Sequence, residues 1–176
     1  MPRTQVSARD RGLQVPVADL LAQPGTRRSL RRRVVLDDLT TSAASVPPES
    51  EIQVDLVLEA IGGGALTATG RVAAPWTGTC RRCLEPVSGE AEVEVREVFE
   101  TRPVEGETYP LAGEQVDLEP MVRDAVLLAL PLAPLCGDDC QGPAPDEFPT
   151  GPADVAADEP PLDPRWAALS DLELDE

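Results

Sequence analysis

Apolar and polar positions alternate most regularly over EIQVDLVLEA (51–60), where Ile52, Val54, Leu56 and Leu58 share one face and Gln53, Asp55 and Val57 the other. A period of two predicts a half-buried strand. IGGG (61–64) follows, and its glycines reach positive φ without steric cost, so a hairpin turn is expected there. ALTATGRVAAPW (65–76) runs back with Leu66, Ala68 and Val72 inward, and Gly70 shifts the count in a way that predicts a bulge. After a tight turn at CRRC, EAEVEVREVFE (90–100) alternates again, with Ala91, Val93, Val95 and then Val98 inward. Three antiparallel strands joined by short turns make a meander, and its apolar face needs a cover. VDLEPMVRDAVLLALP (116–131) supplies one. Asp117 reads as the N-cap, Pro120 lies in the first turn and Pro131 stops the run, while Met121, Val122, Ala125, Val126 and Leu128 to Leu130 form a broad apolar face.

The remaining segments are less periodic. LQVPVADLL (13–21) contains Pro16, which argues for an edge strand or a single helical turn after it. QPGT (23–26) reads as a turn, and RRSLRRRVVL (27–36) as a strand with Leu30, Arg32 and Val34 on one face. Residues 37–50 read as a polar loop ending in Pro47-Pro48. The fold class predicted is α+β: an antiparallel sheet, barrel-like if the meander curls, packed by one long helix and carrying a cysteine-lined edge. The expected organisation is a flexible N-terminus over 1–12, a single domain over 13–140, a disordered acidic, Pro-rich tether over 141–162 and a C-terminal helix over 163–176. In that last helix Asp163 caps, Pro164 takes the first position, and Trp166, Leu169 and Leu172 fall at i, i+3 and i+6. They make a docking face, for its own domain or for a partner.

Composition narrows the chemistry. Apolar residues make up 41% of the 176, but aromatics only 3%, so the core must be aliphatic. There is no His, which removes Ser-His-Asp and Cys-His catalysis and every imidazole metal ligand. The net charge of −17 is uneven. Eight Arg against Asp10 and Asp19 make residues 1–36 basic, and the rest of the chain is strongly acidic. Within the basic part, Arg27, Arg28, Arg31, Arg32 and Arg33 form the one cluster able to engage several phosphates; the competing reading is a strand face paired with the protein's own acids. No apolar run reaches the roughly 18 residues of a membrane span, and no signal-peptide pattern is visible. The expectation is a cytoplasmic protein with no membrane partner, in a compartment where thiols stay reduced.

Four cysteines remain. Cys80-Arg-Arg-Cys83 has the spacing of a metal-binding turn, and Cys136-Gly-Asp-Asp-Cys140 is one residue longer, still within the range for zinc ligands. The 52 residues between the pairs are the strand and helix that would bring the second pair back to the first. Arg81 and Arg82 would lower thiolate pKa, whereas Asp138 and Asp139 would act the other way. Three readings stand: a structural zinc held by all four sulfurs, thiols with no ion, or a redox pair. The antiparallel surroundings lack the βαβ context of a redox Cys-x-x-Cys, and a catalytic zinc is disfavoured by the lack of an open-site ligand set.

The order of these pieces resembles the YceD family, the large ribosomal RNA subunit accumulation proteins. The resemblance is carried by the PGT turn with Arg-rich sequence after it, GTCRRCLEPVSGE leading into an alternating acidic strand, VDLEPMVRDAVLLALPLAPLCGDDCQG, and the terminal DPRWAALSDLELDE. It extends from about Val15 onward. It implies a small non-enzymatic factor needed for accumulation or processing of large-subunit ribosomal RNA. The implied partners are that RNA or its precursor and a basic ribosomal protein. The resemblance also implies that the two cysteine pairs form one site. Family members often continue with a Gly-Leu-Cys-Pro-x-Cys-Gly type segment; QGPAPDEF stands in that place here, so Cys80, Cys83, Cys136 and Cys140 are the only full set.

Overall fold

A computed structural model describes residues 12–147. The chain runs β1 (Gln14–Pro16), α1 (Ala18–Leu21), β2 (Arg27–Val34), β3 (Ala44–Ser45), β4 (Ile52–Gly62), β5 (Ala65–Thr79), β6 (Pro86–Glu100), β7 (Tyr109–Ala112), β8 (Gln115–Asp117) and α2 (Glu119–Ala129). The expected meander is present as β4, β5 and β6, but it is the centre of a larger mixed sheet ordered β1-β8-β7-β6-β5-β4-β2, with β3 beside β5. One pairing, β6 with β7, is parallel. The sheet curls into a half-barrel, so its two ends approach. Arg28, on the terminal strand β2, donates Nη1–H to the carbonyl of Pro16 on β1 at 2.7 Å and forms an ion pair with Asp19 of α1.

The inward rows follow the alternation. Ile52, Val54, Leu56 and Leu58 of β4 and Leu66, Ala68 and Val72 of β5 are all buried. On β6 the expected pattern needs correcting. Ala91, Val93 and Val95 turn inward, but the row continues through Glu97 to Phe99, which is fully buried, and Val98 lies on the other face. Gly70 does not mark a bulge either: it stays in register between Leu56 and Val95, and the shift falls at Ala60/Gly62. Its φ is +148°, and a Cβ there would lie 2.1 Å from the carbonyl oxygen of Asp55, so this position lets two backbones approach. Pro75 is tolerated in a long central strand because β4 pairs with β5 only as far as Ala73 and β3 only from Thr77, which leaves Pro75 one neighbour, β6.

The helix is shorter than predicted. Val116 and Asp117 belong to β8, which pairs antiparallel with β1 and β7. The N-cap is Leu118, not Asp117 as expected; Asp117, one residue earlier, accepts the Glu119 N–H at 3.0 Å. α2 packs over β6 and β5 through Met121, Val122, Ala125 and Val126, whereas Leu128, expected in the apolar face, is 86% exposed. Residues 1–11, the tether from 148 on, and the expected C-terminal helix with Trp166, Leu169 and Leu172 lie outside the described residues. Among the described residues, no helix is long and apolar enough to cross a membrane.

Candidate metal centre

Cys80 and Cys83 sit in the turn from β5 to β6. The Leu84 N–H donates to the Cys80 carbonyl at 2.9 Å and the Cys80 N–H to the Glu85 carbonyl at 2.8 Å. To close this turn Leu84 adopts φ +64°, the left-handed region, while its side chain stays exposed. The reward of that backbone is sulfur solvation. The N–H groups of Cys83 and Arg82, with lesser help from that of Cys136, hold the Cys80 thiol down to about 6. The backbone therefore does what the sequence assigned to the Arg81 and Arg82 side chains.

Cys136 and Cys140 arrive on the segment after α2. Arg81 donates its N–H to the Pro134 carbonyl at 3.0 Å, and the Arg82 guanidinium donates to the carbonyls of Asp138 (2.9 Å) and Cys140 (3.3 Å). These bonds bring the second pair across the first. Cys80 Sγ lies 3.8 Å from Cys140 Sγ, Cys83 Sγ lies 3.7 Å from Cys136 Sγ, and all four sulfurs lie within 4.8 Å of one another. The four cysteines are free thiols. A tetrahedron of thiolates about 2.3 Å from a central ion has edges of about 3.8 Å, so the cluster has the size of a four-sulfur metal site. Hydrogen bonding with Cys140, Cys83 and Cys80 pushes Cys136 up to about 12. Cys83 accepts the Glu85 N–H, which lowers its pKa, but burial and the neighbouring thiols outweigh this and leave it raised. Four thiolates cannot coexist at this spacing without a positive charge among them.

The model of the family described as large ribosomal RNA subunit accumulation protein YceD matches residues 68–173. The chain belongs to the YceD family. That match begins in β5 and takes in both cysteine pairs and α2, but not β2 with its arginines. Uncharacterized proteins of Mycobacterium bovis and Mycobacterium tuberculosis are 36% identical over 128 residues, covering 69% of this chain and 61% of theirs. An uncharacterized protein of Mycobacterium leprae is 30% identical over 136 residues, covering 69% of this chain and 58% of its own. The YceD chain thus spans about three-fifths of the length of these relatives. No solved structure matches.

The five arginines of β2 lie on a sheet edge, and most are already paired. Arg27 meets Glu59 (2.9 Å), Arg28 meets Asp19, Arg31 meets Asp55 (2.7 Å) and Arg33 meets Glu51 (3.6 Å). Among the described residues, Arg32 donates only to the carbonyl of Arg31, at 2.9 Å. Two of the four acids, Asp55 and Glu59, come from β4, and Glu51 immediately precedes it, so the three fall at every fourth residue; the antiparallel register sets Arg27 against Glu59 and Arg31 against Asp55. Sequence reasoning missed the part of Arg82 in joining the two cysteine segments. Its only signal was a cation inside a Cys-x-x-Cys turn.

Proposed function

We propose that this YceD protein is a cytoplasmic, non-enzymatic ribosome-biogenesis factor. It supports accumulation of large-subunit ribosomal RNA by binding an assembly intermediate. Cys80, Cys83, Cys136 and Cys140 hold one structural zinc ion, which ties the β5–β6 turn to the segment following α2 and makes that end of the molecule a rigid platform. The observation that carries the zinc is the convergence of four sulfurs to within 4.8 Å of one another across 52 residues of intervening chain; family membership carries the ribosomal role. Arg27, Arg28, Arg31, Arg32 and Arg33 are the phosphate contact in this reading. Their exposed ion pairs are each worth only about 0–1 kcal/mol, so a phosphate can displace the carboxylate. The acidic tether and the Trp166, Leu169 and Leu172 face of the terminal segment serve docking.

Two measurements test this. Reduced protein, purified without added metal, should contain stoichiometric zinc by elemental analysis; protein with no transition metal that melts unchanged in chelator removes the metal site. The tagged protein should travel with large-subunit precursors through a sedimentation gradient, and a position solely among free proteins removes the ribosomal role.

A second, protein-directed reading is favoured by the arginine–carboxylate pairing on β2 and β4. Here the acidic chain binds a basic ribosomal protein and does not touch RNA. A salt-dependent gel shift with ribosomal RNA fragments separates the two. Binding that weakens when Arg31, Arg32 and Arg33 become Ala supports RNA contact, and indifference supports the adaptor.

A further inference from the structure

Glu97 violates the pattern of its own strand. It stands in the inward row between Val95 and Phe99, where an apolar residue belongs, beside α2. It lines a groove of about 590 Å³ together with Glu107, Tyr109, Asp124, Leu127 and Leu128. The groove is built, not left over. The loop from β6 to β7 is closed by the Thr108 hydroxyl, which donates to Glu100 at 2.8 Å and accepts the Val104 N–H at 2.7 Å. Tyr109 stacks on Phe99 with ring centroids 5.3 Å apart and donates its hydroxyl to Asp124 at 2.8 Å. Burial and the Asp124 carboxylate push the phenol well above its ordinary pKa, so it stays a donor.

The groove brings carboxylates and an exposed aliphatic side chain together. Some acids elsewhere, such as Asp19, Asp55, Glu59, Glu92 and Glu119, are ion-paired with arginines, and others, such as Glu90 and Glu94, have no ion pair among the described residues. Among the described residues, Glu97, Glu107 and Asp124 have no such ion pair. Beside these carboxylates the groove is lined by Leu127 and Leu128, the latter 86% exposed. An inward-row acid set beside an exposed leucine is a departure from local pattern of the kind that binding sites show.

We propose that this groove receives a basic amphipathic segment of a partner protein, its aliphatic side chains on Tyr109, Leu127 and Leu128 and its cations on Glu97, Glu107 and Asp124. Charge complementarity decides the occupant. Three carboxylates repel a nucleic-acid backbone and the acidic C-terminal part of this chain, and a second copy would bring the same carboxylates. The inference rests on the protein-directed reading and places its contact surface.

The test uses the full chain and a synthetic helical peptide of about four turns, Leu on one face and Arg on the other, in fluorescence titrations. Wild type should bind it, and Leu128→Asp and the pair Glu97→Gln/Glu107→Gln should each weaken binding by roughly tenfold or more. Glu90→Gln/Glu94→Gln removes the same charge from the opposite face of β6 and should leave binding within about twofold. Absence of binding, equal losses in both double variants, or indifference to Leu128→Asp overturns the proposal. So does concentration-dependent self-association abolished by Leu128→Asp, which would make a second copy the occupant. If the titrations fail while the protein still travels with large-subunit precursors and ignores the arginine changes in the gel shift, the groove assignment falls and the adaptor reading stands. If the peptide binds as expected but the gel shift depends on those arginines, the groove stands beside an RNA contact.

Discussion

At one end of the half-barrel, Phe99, Leu118, Met121 and Leu13 are buried almost completely between sheet and helix. At the other end, Cys80 is buried but Cys136 and Leu84 are exposed, and the chain is held by Arg82, a few backbone hydrogen bonds and four sulfurs. The first end is held by buried apolar area; the second has little, and its order depends on hydrogen bonds and on the contacts among its four sulfurs. The two ends should therefore respond to different perturbations.

The largest effect is expected at the apolar end. Phe99→Ala removes a fully buried ring and its stacking on Tyr109 and should cost about 3–5 kcal/mol, read as a fall in the urea midpoint of the whole protein. Cys80→Ser should abolish stoichiometric metal and raise hydrogen exchange in residues 80–85 and 134–140, with β4 and the middle of β5 left protected. Exchange that rises equally across the sheet would mean the ends are one unit. Arg82→Ala should loosen the same residues by about 1 kcal/mol, through loss of its bonds to Asp138 and Cys140. Arg31→Ala, on the exposed ladder, should change stability by no more than about 0.5 kcal/mol.

A pH series sharpens the contrast, because the chain has no His and no Lys to confuse it. In metal-free protein Cys80 has its pKa lowered from 9.0 to about 6. Its contribution is complete above the unfolded value and is lost as pH falls through the folded one. Stability should therefore rise between about pH 6 and 9. Cys136, raised to about 12, acts oppositely: its contribution is present below 9.0 and lost as pH climbs further. An optimum near pH 9 in chelator, absent in Cys80→Ser, is expected; a flat profile would mean that the thiols are not held as described.

Legibility followed range. The inward rows of β4 and β5 were readable residue by residue, because alternation is a local property of the backbone. On β6 the same reading slipped at Glu97, since an inward acid looks like the end of a pattern until its surroundings are known. The short strands β7 and β8 carried no period, and Leu128 looked like core because helix periodicity alone does not say how wide a strip the sheet covers. The arginine cluster was legible as charge, but its neutralisation by Glu59 and Asp55 depended on a register set between strands.

The amino-acid sequence by itself determined an aliphatic, alternating sheet, a helix to cover it, and two cysteine pairs of metal-binding spacing. Tertiary structure alone decided that β7 lies parallel to β6, that the four sulfurs converge, and that Glu97, Glu107 and Asp124 share a groove. The physical reason is that periodicity reports which way a side chain faces, whereas the neighbour it meets is set by chain closure across tens of residues, which no local pattern records.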